Sequence, residues 1–158
     1  MSAFLLSVHV LAAILTIGPV AVTASMFPRF ARLALDNPTD LRRGAVVRVL
    51  HRITRNYAVI GVLVPVFGLA TGASIGVLGD AWLIVSIVLT AGAGAILIGI
   101  VLPGQHRTLR CLEVGAEPAD LARVIPRLGM HAGTFNLLWA IVVVLMIYRP
   151  GSTTGVGL

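Results

Sequence analysis

One histidine lies inside an almost wholly apolar stretch, LLSVHVLAAI, at residues 5–14. Ser2, His9, Thr16 and Thr23 follow one another at seven-residue spacing. Because two heptads drift by only about 40° around an ideal helix, His9, Thr16 and Thr23 share one stripe, which Ser2 extends. A polar stripe on an otherwise apolar helix is expected to face protein rather than lipid. His9 is therefore a candidate functional residue.

His9 supports several kinds of chemistry, and the sequence leaves them open. A neutral imidazole could hydrogen-bond across a helix bundle, for which Ser86, Thr90 and Asn136 are available partners. It could also ligate the iron of haem b, relay protons or contact a quinone, because neutral imidazole suits haem iron and four-helix bundles hold haem between facing helices. Haem b is the candidate cofactor. The candidate cofactor-binding residues are His9, Thr16 and His131.

The remaining histidines lie near the ends of other apolar runs. His51 precedes the second run, His106 follows the third, and His131 opens the fourth. They are spread over three segments, so their spacing does not predict a metal site, and their roles stay open. Cys111 is the one cysteine of the chain, which excludes an internal disulfide and a CxxC motif.

Composition places these residues in a membrane. Hydrophobic residues make up 58% of the 158 residues and charged residues 11%, whereas soluble domains are about a quarter charged. Four runs, 3–27, 57–78, 81–102 and 130–148, contain no Asp, Glu, Lys or Arg, and each is close to the roughly 20 residues of a spanning helix. Backbone groups in lipid must be satisfied internally, which favours helices. We predict an all-α integral membrane four-helix bundle, one transmembrane domain over residues 1–158.

The arginines predict how the chain is oriented. All twelve basic residues are Arg, and all except Arg149 lie in the two long connectors, 28–56 and 103–129. Because basic connectors favour the cytoplasmic side, we predict that both termini lie outside. We expect a basic amphipathic helix in the first connector, either on the inner leaflet or leading into the second span. No basic face interleaves with aromatic residues, so nucleic acid is not a predicted partner.

Small residues and prolines predict how the helices pack. Small side chains at four-residue spacing let helices approach closely in lipid. Prolines at positions 19 and 65 remove a backbone donor and should bend the first and second helices. The candidate helix-packing residues are Gly68, Gly72 and Gly76 on the second helix, and Ala91, Ala95 and Gly99 on the third.

Two stretches carry a resemblance to known families. HVLAAILTIGPVAVTASMFPRF, residues 9–30, resembles membrane-type protoporphyrinogen oxidases, copper-resistance D-like domains and an uncharacterised four-helix family of predicted integral membrane proteins. LHRITRNYAVIGVLVPVFGLATG, residues 50–72, is similar to the second span of that uncharacterised family. The resemblance implies a small bacterial protein of the cytoplasmic membrane, and the oxidase family implies haem binding at His9. That family also uses an intramembrane lysine, and this chain contains none.

Two functions follow as expectations. The first is a haem- or quinone-associated redox protein that acts through His9. The alternative is a non-enzymatic membrane scaffold, oligomer or accessory subunit that packs through the glycine-rich face of the second helix, with a second copy or another membrane protein as partner. The sequence contains no P-loop, GxSxG or HExxH motif, and whether the protein is an enzyme stays open.

Overall fold

The computed structural model describes residues 2–37, 39–114 and 118–152. The predicted domain, 1–158, extends beyond these ranges at both ends. Within them the chain is helical, with no strand, which confirms the all-α fold class. The elements are α1 (Ser2–Leu35), α2 (Leu41–Ile60), α3 (Leu63–Ser74), α4 (Ala81–Ile96), a π-helical turn (Leu97–Val101), α5 (Leu102–Val114) and α6 (Pro118–Tyr148).

These elements form four long rods. The rods are α1, α2 with α3, α4 through α5, and α6, and each contains a segment long and apolar enough to cross a membrane. All four extend past the predicted spans at the end that carries the arginine-rich segments, here called the basic end. The basic segment before the second span is therefore helical and leads directly into that span.

The helices continue past the apolar runs because the basic end has a core of its own. Phe27, Ala31, Val47 and Ile125 are almost completely buried there, in one cluster formed by α1, α2, α5 and α6. Asp40 begins α2 by accepting a hydrogen bond from the backbone N–H of Arg42 at 3.0 Å. Buried apolar contacts thus hold the helices together beyond the membrane-length segments.

Pro65 interrupts the second rod at Gly61 and Val62, one turn before the proline. Proline has no backbone N–H, and its ring clashes with the carbonyl four residues earlier, which is that of Gly61. The Gly61 carbonyl instead accepts from the N–H of Val64 at 3.1 Å, and Gly61 and Val62 form a turn between α2 and α3. The predicted bend in the second helix is therefore a break between two helices.

The four rods do not pack equally around the bundle. α1 packs along α2 and α3 and against α6, while α4 packs against α6. Towards the end opposite the basic end, α3 and α4 touch only sparsely. Their close contact is where Gly72 meets Leu83, next to the turn that joins them. The remaining length of this pair stays apart, and that separation creates the cavity described next.

Candidate functional site

The orientation of His9 is fixed by one hydrogen bond from its ring. Nδ1 lies 2.8 Å from the carbonyl oxygen of Val64, at the start of α3. Because a carbonyl oxygen only accepts, Nδ1 carries the proton and donates. In the neutral imidazole Nε2 then keeps its lone pair, and Nε2 has no partner among the described residues. His9 as a whole is only 8% exposed, so its ring lies inside the protein.

Gly68 makes room for this ring. A Cβ at position 68 would lie 2.9 Å from Cε1 and 3.2 Å from Nδ1 of His9. Such distances are shorter than normal carbon contacts of about 3.5–4.0 Å. A glycine is therefore required where α3 crosses the imidazole, one turn after the carbonyl that binds it.

His9 lies at one end of an elongated apolar cavity of about 710 Å³. The walls are α1, the end of α2, α3, α4 and α6. The residues of α4 and the π-helical turn that line the cavity run from Leu83 to Gly99. At 1.5 Å per residue, that is roughly 24 Å along the bundle. Of the described residues that line the cavity, none is Asp, Glu or Arg. The volume is within the range of about 300–1,000 Å³ typical of small-molecule sites.

Few polar groups accompany His9 in the cavity. Ser86, Thr90, Tyr57 and Trp139 contribute to the lining. The Ser86 hydroxyl donates to the carbonyl of Trp82 at 2.8 Å. The indole Nε1 of Trp139 is buried without a hydrogen-bond partner within the described part of the chain. Trp139 is the aromatic residue that lies mid-span instead of near a membrane boundary, and that unusual position was the available sequence signal for it.

The structure buries the predicted polar stripe but uses its members differently. Thr16 is buried and donates to the carbonyl of Ala12 at 2.6 Å. Thr23 is buried and shares a 2.8 Å hydrogen bond with Thr54 of α2. The stripe therefore faces the protein interior, as predicted, although the side chain of Ser2 lies outside the described part. Thr16 does not line the cavity with His9, and its hydroxyl bonds its own helix.

His131 is also separate from the cavity. Its Nδ1 donates to the carbonyl of Arg127 at 2.6 Å, one turn earlier in α6, and its ring is only half-buried. The α6 residues that line the cavity begin one turn further on, at Phe135. The structure thus does not bring His9, Thr16 and His131 together. Asn136, a candidate partner of His9, instead donates to Ser25 at 2.9 Å.

The candidate helix-packing residues divide into three groups. Gly68 and Gly72 are in close contact inside the chain, where a Cβ at Gly72 would lie 2.9 Å from Leu83. Gly76 lies beyond α3 with φ of +75°, and the Val77 N–H donates to the Gly72 carbonyl at 3.1 Å. This is the glycine-capped end of a helix, so Gly76 is not on the packing row. The third group, Ala91, Ala95 and Gly99, is exposed and lines the cavity.

A second polar cluster joins α2 and α5 at the basic end. His51 Nδ1 lies 3.1 Å from Oε1 of Gln105, and the ring centroids of His51 and His106 are 6.0 Å apart. Gln105 is 1% exposed, and its Nε2 has no partner among residues that the structure describes. The described ranges contain no group of three or more His, Cys, Asp or Glu that could hold a metal ion. Sequence reasoning did not single out Gln105, which follows the third apolar run without a motif.

Comparisons of the chain with protein-family models, with curated proteins and with solved structures find no match.

Proposed function

We propose that this protein binds a membrane-soluble cofactor in the cavity, with Nε2 of His9 as the direct contact and haem b as the cofactor. The single observation that carries the proposal is the buried His9 ring, whose Nδ1–H is bound to Val64 and whose Nε2 is free. A histidine that ligates a metal commonly donates its other ring N–H to a carbonyl, which sets the tautomer and the ring orientation. The His9 ring already has this arrangement, because its Nδ1–H donates to the carbonyl of Val64.

The cavity fits haem b in three respects. Its lining is apolar, its volume is sufficient for a ligand of that size, and one neutral imidazole faces it. Described residues that line the cavity include no second histidine, so His9 would be the only histidine ligand to the iron. Tyr57 lines the cavity, and its hydroxyl could donate a hydrogen bond to a haem carboxylate. Bound haem b would supply one-electron chemistry.

The scaffold alternative has less support from the helix contacts. It requires the glycine face of the second helix to be available to a partner. Gly68 and Gly72 are instead occupied by His9 and Leu83 of the same chain. Gly76 ends the helix and offers no continuation of that face. A partner would have to use other surfaces.

We also propose that both termini lie outside a bacterial cytoplasmic membrane. The support is the position of eleven arginines in the segments 28–56 and 103–129. Both segments lie at the same end of the four rods, because each rod runs antiparallel to the next in sequence. Basic residues are retained on the cytoplasmic side during insertion.

The haem content of purified protein tests the proposal. Protein expressed with sufficient iron is extracted, and haem is quantified as a pyridine complex per mole of protein. We expect close to one haem per chain in the wild type and almost none in His9→Ala. His131→Ala is the matched control, because it removes a histidine from outside the cavity, and it should keep the wild-type content. Equal haem content in wild type and His9→Ala would contradict the proposal.

A further inference from the structure

We propose that the cavity opens sideways to the bilayer through a slot between α3 and α4, and that lipid acyl chains enter this slot when no cofactor is bound. The proposed function assigns this cavity to haem, and the present proposal concerns what occupies the cavity when haem is absent. It rests on the proposed function in one respect only, which is that haem would enter through the same slot. The slot is defined by residues that line the cavity and are also exposed: Val62, Leu69, Ile87, Ala91, Ala95 and Ile98.

The helix contacts locate the opening. Around the cavity, α1 packs against α3 and α6, and α4 packs against α6, so three of the four sides are closed by helix contacts. The fourth side, between α3 and α4, has only sparse contact. It closes near the connecting turn, where Gly72 meets Leu83. Towards the basic end the two helices stay apart, and the cavity meets the surface there.

Side-chain size keeps this side open. Ile87, Ala91, Ala95 and Gly99 follow one another at four-residue spacing, so they form one row on the edge of α4. Ala91, Ala95 and Gly99 are exposed, and a Cβ at Gly99 would meet no atom within 4 Å. The sequence assigns Ala91, Ala95 and Gly99 of this row to helix packing, but no helix of the described chain covers them. Larger side chains in the same row would fill the slot.

The dimensions and chemistry of the slot favour a chain molecule over a helix as occupant. A second helix packs at about 8–10 Å between axes and covers a surface without entering a deep cavity. The cavity is instead a volume of about 710 Å³ that reaches inward to His9. In a bilayer, the molecules present at the exposed edge of α3 and α4 are lipids, whose tails match the apolar lining. The occupant is therefore a phospholipid acyl chain.

Trp139 provides a probe inside the cavity. The chain has two tryptophans, and Trp82 is buried near the turn between α3 and α4, where its indole donates to Asp80 at 3.0 Å. In a Trp82→Phe background, fluorescence reports Trp139 alone. The protein is placed in bilayer nanodiscs with phospholipids brominated along the acyl chain, because bromine quenches tryptophan at contact. We expect strong quenching of Trp139 relative to unbrominated lipid.

Substitutions that fill the slot distinguish acyl chains that enter the cavity from acyl chains that contact Trp139 at the outer surface of the protein. Ala95→Phe places a ring in the slot and should reduce the quenching by about half or more. Ala140→Phe is the matched control, because Ala140 is exposed on α6 beside Trp139 but does not line the cavity. It should leave the quenching unchanged. Ala91→Phe repeats the test one turn away.

Several outcomes would overturn the proposal. These are quenching no greater than that of unbrominated lipid, quenching that Ala95→Phe and Ala91→Phe leave unchanged, and quenching that Ala140→Phe reduces more than they do. If Trp82→Phe does not fold, the same variants are compared in the wild-type background, where Trp82 adds a constant signal. The readout needs no haem. Absence of haem binding would therefore contradict the proposed function but not the proposal that acyl chains enter the slot. Absence of quenching would contradict the entry of acyl chains but not haem binding.

Discussion

At the scale of single residues, the structure identifies a hydrogen-bond partner of His9 that the sequence does not predict. The sequence places it on a polar stripe and leaves its partner open among Ser86, Thr90 and Asn136. The partner is the backbone carbonyl of Val64, which no side-chain pattern could indicate. That carbonyl decides the tautomer, so the free nitrogen is an acceptor. The nitrogen can bind a metal or accept a hydrogen bond, and it cannot donate to a quinone carbonyl while the ring is neutral.

Gly68→Ala should disturb His9 without removing it. The added Cβ would lie 2.9 Å from Cε1, so the ring must move from its bond to Val64. We expect a loss of about 1–3 kcal/mol in unfolding free energy, as in overpacked cores, and weaker haem binding. The matched control is Gly133→Ala on α6, where a Cβ would meet nothing within 4 Å. Thermal unfolding in one detergent compares the two, and equal stability would contradict the contact.

Gln105→Leu should stabilise the protein. Gln105 is 1% exposed, and its Nε2 is buried without a partner among the described residues. A buried unsatisfied group costs about 1–3 kcal/mol, whereas the hydrogen bond lost with His51 is worth about 0.5–1.5 kcal/mol. We therefore expect a net gain of about 1 kcal/mol in unfolding free energy, measured by denaturation in mixed micelles.

Thr108→Val is the control for Gln105→Leu. Thr108 is completely buried on the same helix, and its hydroxyl donates to the carbonyl of Gly104 at 2.9 Å. The variant removes a satisfied hydroxyl, so it should not stabilise. A Gln105→Leu protein that is less stable than wild type would show that Nε2 has a partner, such as a buried water.

At the scale of elements, proline and glycine determine where the second rod changes direction. Pro65 separates α2 from α3, and Gly76 ends α3 in a left-handed conformation. Together they position the carbonyl of Val64 and the open face of Gly68 beside His9. The sequence predicts the bend from Pro65, but it assigns Gly76 to a packing row. Four-residue spacing alone does not distinguish a helix face from a glycine that caps the same helix.

Gly76→Ala should lower stability although it adds no steric contact. A Cβ at position 76 would meet no atom within 4 Å, but φ there is +75°. A non-glycine residue in this conformation costs about 1 kcal/mol or more. Gly79→Ala, in the same connection, is the control, since its added Cβ also meets nothing and its φ is not positive. Thermal unfolding should separate the two variants, and equal midpoints would argue against the glycine cap.

At the scale of the whole molecule, composition and spacing predict the helices well and their arrangement poorly. The four apolar runs correspond to the four rods because charge-free segments of about 20 residues have few alternatives in lipid. The rods run further than predicted because buried residues such as Ala31 and Ile125 continue the packing beyond the apolar runs. Hydrophobicity indicates which segments can lie in a membrane, but it does not indicate where a helix ends.

The cavity could not be predicted from the sequence. It depends on the separation of α3 and α4, which is set by the contacts of α3 with α1 and of α4 with α6. Ala91, Ala95 and Gly99 have the spacing of a packing face whether or not a helix covers them. His131 resembles His9 as a histidine in an apolar run, but it bonds its own helix and lies outside the cavity. Residue type identifies candidates, and three-dimensional contacts select among them.

The predicted orientation has a direct test. A reporter enzyme that folds only outside the cytoplasm is fused after Leu158, and in a second protein after Arg43 in the first basic segment. We expect activity from the first fusion and none from the second, because arginine-rich segments stay cytoplasmic. The opposite pattern would reverse the orientation and leave the helix packing unchanged.

The most direct test of cofactor binding at His9 is the visible spectrum of the purified protein, reduced minus oxidised. A single free Nε2 in an apolar cavity predicts a Soret band that shifts on reduction, is lost in His9→Ala and is retained in His131→Ala. A flat spectrum from folded protein, grown with iron and haem supplied, would contradict haem binding. A band that persists in His9→Ala would contradict the assignment of His9 as its ligand.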